Sequence, residues 1–128
     1  MILVTGGAFE GKKEYVASRF QIAAEEMADG EHCSWQEIAS CRCLYHFHLL
    51  VRRMMQNGED PFDLCDLLME ENPNVIIVTN ELGYGIVPME RFDREYREKC
   101  GRICCELAKE ANEVHRVVCG IGEVIKHA

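Results

Sequence analysis

Three features of the 128-residue chain predict an α/β fold on a mostly parallel sheet. Short apolar runs alternate with stretches whose apolar residues recur every three or four positions, the pattern of strands joined by crossover helices. The run Val75-Ile76-Ile77-Val78-Thr79 is β-branched throughout, as suits a central parallel strand covered on both faces. A glycine-rich stretch separates the first apolar run from the first helical pattern, where open parallel sheets carry ligand loops.

The first strand is expected over residues 2–5, stopped by Gly6-Gly7. Residues 13–27 follow as a helix whose apolar stripe includes Val16, Phe20, Ile22 and Met27, ended by Asp29-Gly30. Ser34-Trp35-Gln36-Glu37 has capping-box spacing and starts a second helix. Residues 41–45 admit two readings: a short strand feeding a helix over 47–56, favoured by the α/β alternation, or the helix from Trp35 running through. Asp60-Pro61 pairs an N-cap with a proline at the first helical position, and that helix buries Phe62, Leu64, Cys65, Leu67 and Leu68 before ending ahead of Pro73. After the strand at 75–79, a long amphipathic helix begins near Met89 and presents Phe92, Tyr96, Cys100, Ile103, Leu107 and Ala111. The last strand covers 114–119 and stops at Gly120, and residues 121–128 carry no clear pattern.

Length and the lack of any linker or repeat indicate one domain, 1–128. With 14 Lys plus Arg against 22 Asp plus Glu, the net charge of −8 disfavours a nucleic-acid partner. No apolar run is long enough for a membrane span, and no export signal is evident, so a cytoplasmic protein with eight reduced, mostly buried cysteines is expected.

Gly6-Gly7-Ala8-Phe9-Glu10-Gly11-Lys12 matches the G-x-x-x-x-G-K phosphate loop, between a strand and a helix as that motif requires. Glycines let consecutive backbone N–H groups turn onto phosphates, a helix N-terminus stands behind them, and a lysine neutralises the β and γ oxygens. The nucleotide site is therefore assigned to Gly6, Gly7, Ala8, Phe9, Glu10, Gly11, Lys12 and Lys13, with Lys12 also catalytic. An empty glycine-rich turn is the bland alternative. Position 13 departs from the motif, since a serine or threonine normally ligates Mg²⁺ there and a protonated lysine cannot. Three readings stand: Lys13 takes over the role of the cation, or phosphoryl transfer is lost while binding survives, or Lys13 points to solvent. The need for Mg²⁺ is left open, and no metal ligand is assigned.

The start of the chain through Gly11-Lys12, and a longer block from Val75 through Thr79-Asn80-Glu81-Leu82-Gly83-Tyr84-Gly85-Ile86-Val87-Pro88-Met89-Glu90, Arg94, Gly101 and Arg102 to Val117-Val118-Cys119-Gly120-Ile121, resemble the bifunctional adenosylcobinamide kinase / adenosylcobinamide-phosphate guanylyltransferases of cobalamin biosynthesis. The resemblance implies a three-layer P-loop NTPase fold of the RecA-like type, here reduced in size. It also implies ATP or GTP as the nucleotide, a corrinoid (adenosylcobinamide) as acceptor, and a homo-oligomer, commonly a trimer. The implied reactions are phosphorylation of adenosylcobinamide and GMP transfer from GTP. The family carries an extra strand and a GMP-accepting histidine between the first helix and the segment matching Ser34, for which no counterpart is read here. Its strand ending in Asp-Cys finds its nearest match in Ser40-Cys41. A nucleotide-binding regulator without transferase chemistry is the alternative function.

Glu81 follows the strongest strand at the edge where ligands sit, beside Gly83 and Gly85, and matches the family's motif glutamate. It is a candidate for orienting a hydroxyl or a metal-bound water, against a carboxylate that only pins its own loop. His46 and His48 emerge at the same edge if residues 41–45 are a strand, and are candidate phosphate contacts or nucleophiles. Cys41, Cys43, His46 and His48 contain zinc-binding types but crowd into one octet, which disfavours a tetrahedral site. Cys104-Cys105 is expected to pack in the core. Arg52, Arg53, Arg91, Arg94, Arg97 and Arg102 suit either an anionic ligand or helix-surface pairing.

Overall fold

The computed structural model describes residues 1–82 and 88–127. Six strands form one sheet: β1 (Ile2–Gly6), β2 (Met27–Asp29), β3 (Cys43–Tyr45), β4 (Ile76–Asn80), β5 (Glu113–Val118) and β6 (Ile121–Lys126). Their order is β2-β3-β4-β1-β5-β6, parallel except for β6, which runs antiparallel to β5. Helix α1 (Lys12–Phe20) covers one face, and α2 (Trp35–Ser40), α3 (Phe47–Gln56), α4 (Asp63–Glu71) and α5 (Arg91–Glu110) pack with the core of the other, giving three layers.

Register explains why both faces are apolar. Leu44, Ile77, Leu3 and Val114 stand side by side across β3, β4, β1 and β5, and all belong to the larger core with Phe47, Leu50, Leu68 and Ile103. One residue along each strand the side chains reverse, so Cys43 beside Ile76 and Val4 beside Val78 meet Val16 and Ile22 beneath α1. The continuous β-branched run at residues 75–79 is thus apolar on both sides because helices cover both.

Several elements depart from the sequence reading. The helix expected over 13–27 stops at Phe20, where Gln21 turns left-handed, and a single 3₁₀ turn (Ala24–Glu26) leads into β2. Ala28 is buried on this extra strand, so a strand does lie between α1 and Ser34, and Asp29-Gly30 ends a strand instead of a helix. Gly30 is required because a Cβ there would lie 2.5 Å from the His46 carbonyl oxygen, where the ends of β2 and β3 converge. Of the two readings for 41–45, the strand is found, shortened to Cys43–Tyr45. Ser40-Cys41 lies at the end of α2, not at a strand's carboxyl end, and that end is occupied by Tyr45-His46. Asp60 does not cap α4 directly, since its side chain accepts from the Phe62 N–H at 3.0 Å in a turn before the helix. The patternless tail forms β6, whose residues alternate between exposed and half-buried.

Two further local features follow their signals, whereas the cysteines depart from theirs: only three of the eight are buried, and Cys105, expected in the core beside Cys104, is exposed because it lies on the solvent side of α5. The capping box forms, with the Glu37 N–H donating to Ser34 Oγ at 3.2 Å and the Ser34 N–H to the Glu37 carboxylate at 3.3 Å. Cys119 and Gly120, both left-handed, make the two-residue turn between β5 and β6. All eight cysteines are free; Cys33, Cys43 and Cys100 are buried, while Cys105 and Cys119 are exposed. Cys104 is half-buried against the larger core. No helix among the described residues is long and apolar enough to cross a membrane.

Candidate functional site

Because five strands are parallel, Gly6, Asp29, Tyr45 and Asn80 all end at one edge of the sheet. The loop after β1 folds over this edge. Together with Tyr45, His46, His48, Val78 and Asn80 it lines a cleft of about 310 Å³. Of the predicted loop residues, Ala8, Phe9, Glu10, Gly11, Lys12 and Lys13 line the cleft, whereas Gly6 ends β1 and Gly7 is engaged through its carbonyl. Gly11 is left-handed (φ 80°) and caps α1, a conformation natural to glycine. Phe9 is also left-handed, with its ring fully in solvent.

Lys12 is buried, and its Nζ donates to the Gly7 carbonyl at 2.6 Å. Burial lowers its pKa, opposed by the negative charges of Glu10, Glu81 and Glu14. The loop is tied to the β5–β6 turn through Glu10, whose carbonyl accepts from the Gly120 N–H at 2.8 Å and whose carboxylate accepts from the Cys119 N–H. The Glu10 side chain therefore holds the loop's shape.

His48 is nearly inaccessible, and its Nδ1 accepts the Asn80 N–H at 3.2 Å, which leaves the proton of the neutral ring on Nε2. Burial, then the charges of His46 and Lys12, push its pKa down to about 4. The ring is thus a neutral donor at physiological pH. His46, left-handed at φ 53°, precedes α3 and hydrogen-bonds through Nδ1 to Asp29 Oδ1 at 2.9 Å. Burial would raise the Asp29 carboxyl, but the Glu31 N–H and His46 together hold it below its usual range. Asp29 escaped sequence reading because Asp29-Gly30 resembles a helix stop. The signal available was a short Met27-Ala28-Asp29 strand ending in an acid at the ligand edge.

Glu81 sits just beyond β4, its N–H bonded to the Gly6 carbonyl at 2.8 Å. Its carboxylate accepts two bonds from Arg116 of β5, at 2.9 and 3.3 Å. It borders a second cleft of about 290 Å³, shared with Thr5, Asn80, Leu82, Cys100, Gly101 and Cys104. Gly83 and Gly85 lie outside the described residues.

The positions that hold Mg²⁺ in P-loop proteins, a hydroxyl after the loop lysine and a carboxylate at the end of a neighbouring strand, do not fit that ion here. Lys13 takes the first, and Tyr45 stands at the carboxyl end of β3. Lys13 is exposed, yet its side chain is not without a contact: its Nζ lies over the Tyr45 ring, 4.2 Å from the centroid. Elsewhere on the edge, donor atoms of Asp29, Glu31 and His46 lie within 4.8 Å of one another, although the Asp29–His46 hydrogen bond already consumes one side of that set. Cys41 and Cys43 do not join His46 and His48 in a ligand cluster among the described residues, and burial raises their thiols to about 11 and about 12.

The arginines are largely paired. Arg52 bonds Asp93 at 2.9 Å and lies over the rings of Phe92 and Tyr96, Arg91 bonds Glu95, and Arg102 bonds Glu98. Arg94 donates to the carbonyls of Pro88 and Met89.

Comparison with known proteins agrees with this geometry. Residues 41–125 match the family model described as cobinamide kinase / cobinamide phosphate guanyltransferase. The "Bifunctional adenosylcobalamin biosynthesis protein CobU" of Escherichia coli (strain K12) is 54% identical over 52 residues, which is 41% of this chain and 29% of that protein. The protein of the same name from Salmonella typhimurium is 30% identical over 184 aligned positions, covering 98% of this chain and 99% of the relative. Since the chain has 128 residues, that alignment opens gaps opposite dozens of the relative's residues. A glycine-rich loop after the first strand of a three-layer, mostly parallel sheet, the family match over most of the chain and the end-to-end relative converge: the chain belongs to the cobinamide kinase / cobinamide phosphate guanyltransferase family.

Proposed function

We propose that the chain, as a single nucleotide-binding domain over residues 1–128, is a cytoplasmic transferase that phosphorylates adenosylcobinamide from ATP or GTP. The observation that carries this reading is the convergence of Lys12, Lys13, His46 and His48 on one cleft around the Gly6-to-Lys13 loop, a cleft that Glu10 and Glu14 also line. Residues 6–13 cradle the phosphates. Lys12 exchanges its bond to the Gly7 carbonyl for phosphate oxygens and stabilises the charge that develops during transfer. His48 donates from Nε2 to a phosphate oxygen, its ring fixed by the Asn80 N–H. His46 presents Nε2 to the same cleft, with Asp29 orienting the ring, and serves as a phosphate contact or as the nucleophile of a GMP transfer.

Glu81 orients the attacking hydroxyl from the second cleft, held by Arg116. In the transfer, that hydroxyl oxygen bonds to the γ-phosphorus as the bond to the β–γ bridging oxygen breaks. The hydroxyl proton passes to Glu81 or to solvent, and the nucleoside diphosphate departs.

A homo-oligomer, a trimer by family resemblance, completes this reading. Val118, Ile121 and Ile125 offer exposed apolar surface along β5 and β6.

The second reading is a nucleotide-binding regulator without transfer chemistry. It is favoured by the Glu81–Arg116 ion pair, which occupies the carboxylate. Incubation with adenosylcobinamide and each triphosphate, with mass spectrometry of the corrinoid, separates the two. Adenosylcobinamide phosphate formed by the native protein and lost in Lys12→Ala and Glu81→Gln supports the kinase. Nucleotide binding without product, at any protein concentration, supports the regulator.

A further inference from the structure

We infer that Lys13, seated on the ring of Tyr45, replaces the divalent cation of P-loop chemistry, so that this site binds nucleoside triphosphate in its metal-free form; this rests on the reading of the cleft as a nucleotide site. The metal of such sites has two protein anchors, the hydroxyl after the loop lysine and an acid at the end of a nearby strand. Both are changed here, and the two replacements touch each other. Lys13 stands at the hydroxyl position, Tyr45 stands at the carboxyl end of β3, and the ammonium lies 4.2 Å from the ring centroid. A lone change at position 13 would leave a long, mobile cation. A ring beneath it turns that cation into a positioned one, through attraction between the ammonium and the ring face.

The surroundings leave this charge available to a ligand. Among the described residues no ion pair engages Lys13, whereas six arginine or lysine side chains elsewhere do carry ion pairs: Arg42, Arg52, Arg91, Arg102, Lys109 and Arg116. Both Lys13 and Tyr45 line the phosphate cleft. A magnesium ion brought in with a nucleotide and placed as in other P-loop sites would meet the ammonium instead of a donor oxygen. Lys12 and Lys13 together place two positive charges against the phosphate chain, one from the loop lysine and one from the side chain standing where the metal ligand would be. The metal and Lys13 therefore compete for the same phosphate oxygens.

The test is calorimetric titration of the full chain with ATP and with GTP, each in EDTA and in excess Mg²⁺. The native protein is expected to bind in EDTA as tightly as in Mg²⁺, within about threefold. Lys13→Ser should weaken binding in EDTA by about tenfold or more, and Lys13→Ser combined with Tyr45→Asp should make binding depend on Mg²⁺. Circular dichroism checks that the variants fold, and the native comparison stands without them. Native binding at least about tenfold tighter with Mg²⁺ overturns the inference while leaving the nucleotide site intact. So does a Mg²⁺ requirement abolished by Asp29→Asn, which would place the ion on Asp29, Glu31 and His46. Absence of binding in every condition overturns the nucleotide site itself and this inference with it.

Discussion

Acidification is expected to destabilise the protein through His48 more than through any surface histidine. In the folded state its pKa is about 4, against 6.5 for an unperturbed ring, because the imidazole is buried and its Nδ1 already accepts the Asn80 N–H. Protonation would abolish that acceptor and place a charge near His46 and Lys12. Between these two values the unfolded chain binds the proton and the folded chain does not, so stability is full above the unfolded pKa and falls as pH drops towards the folded one. The full difference is worth about 3 kcal/mol, of which about 2 kcal/mol is lost by pH 5. Urea unfolding at pH 7.5 and pH 5 measures it, with His48→Gln as the control, since the glutamine amide oxygen can accept the same N–H. The other histidines are common to both proteins, so the comparison isolates His48. The native protein should lose about 2 kcal/mol more than the variant, a difference of about 1 M in relative urea midpoint. Equal pH slopes for the two proteins would refute the reasoning, as would an imidazole that titrates near 6.5 by NMR in the folded state.

Ser34→Ala removes one half of the capping box at α2 and should cost about 1 kcal/mol in urea unfolding. Gly30→Ala drives a Cβ into the His46 carbonyl, so a loss of about 1–3 kcal/mol and a changed His46 ring environment in NMR are expected. Tyr96→Phe deletes the 2.8 Å bond from the phenol of α5 to the His48 carbonyl, a buried acceptor, and should destabilise by about 1–3 kcal/mol. Under native conditions Cys105 and Cys119 should react quickly with a thiol reagent while Cys33, Cys43 and Cys100 react only on unfolding; rapid labelling of Cys43 would contradict its placement in β3.

What the sequence determined by itself is local and periodic. The turn from Gly6 to Lys12 between β1 and α1 was legible because its glycine signal is contiguous, and the strand at β4 because double-sided burial leaves an uninterrupted β-branched run. The capping box at Ser34 and the stripe of α5 have spacings set by helix geometry alone. Tertiary structure decided the elements whose reason lies across the sheet. Three-residue β2 exists because β3 pairs with it and buries Ala28, and its apolar neighbours imitate a helical stripe when read in line. β6 exists because the left-handed Cys119-Gly120 turn folds it back along β5, although Ile121 and Ile125 face outward and give no signal of burial.

The site divides in the same way. Lys12 follows from a motif and Lys13 stands out as a departure from it, but the pairing of His46 with Asp29, the Arg116 clamp on Glu81 and the seat of Lys13 on Tyr45 join residues from different strands, helices and loops. Parallel strands bring their carboxyl ends to one edge whatever their separation in sequence. A contact there depends on strand order, which a linear pattern of residues does not encode.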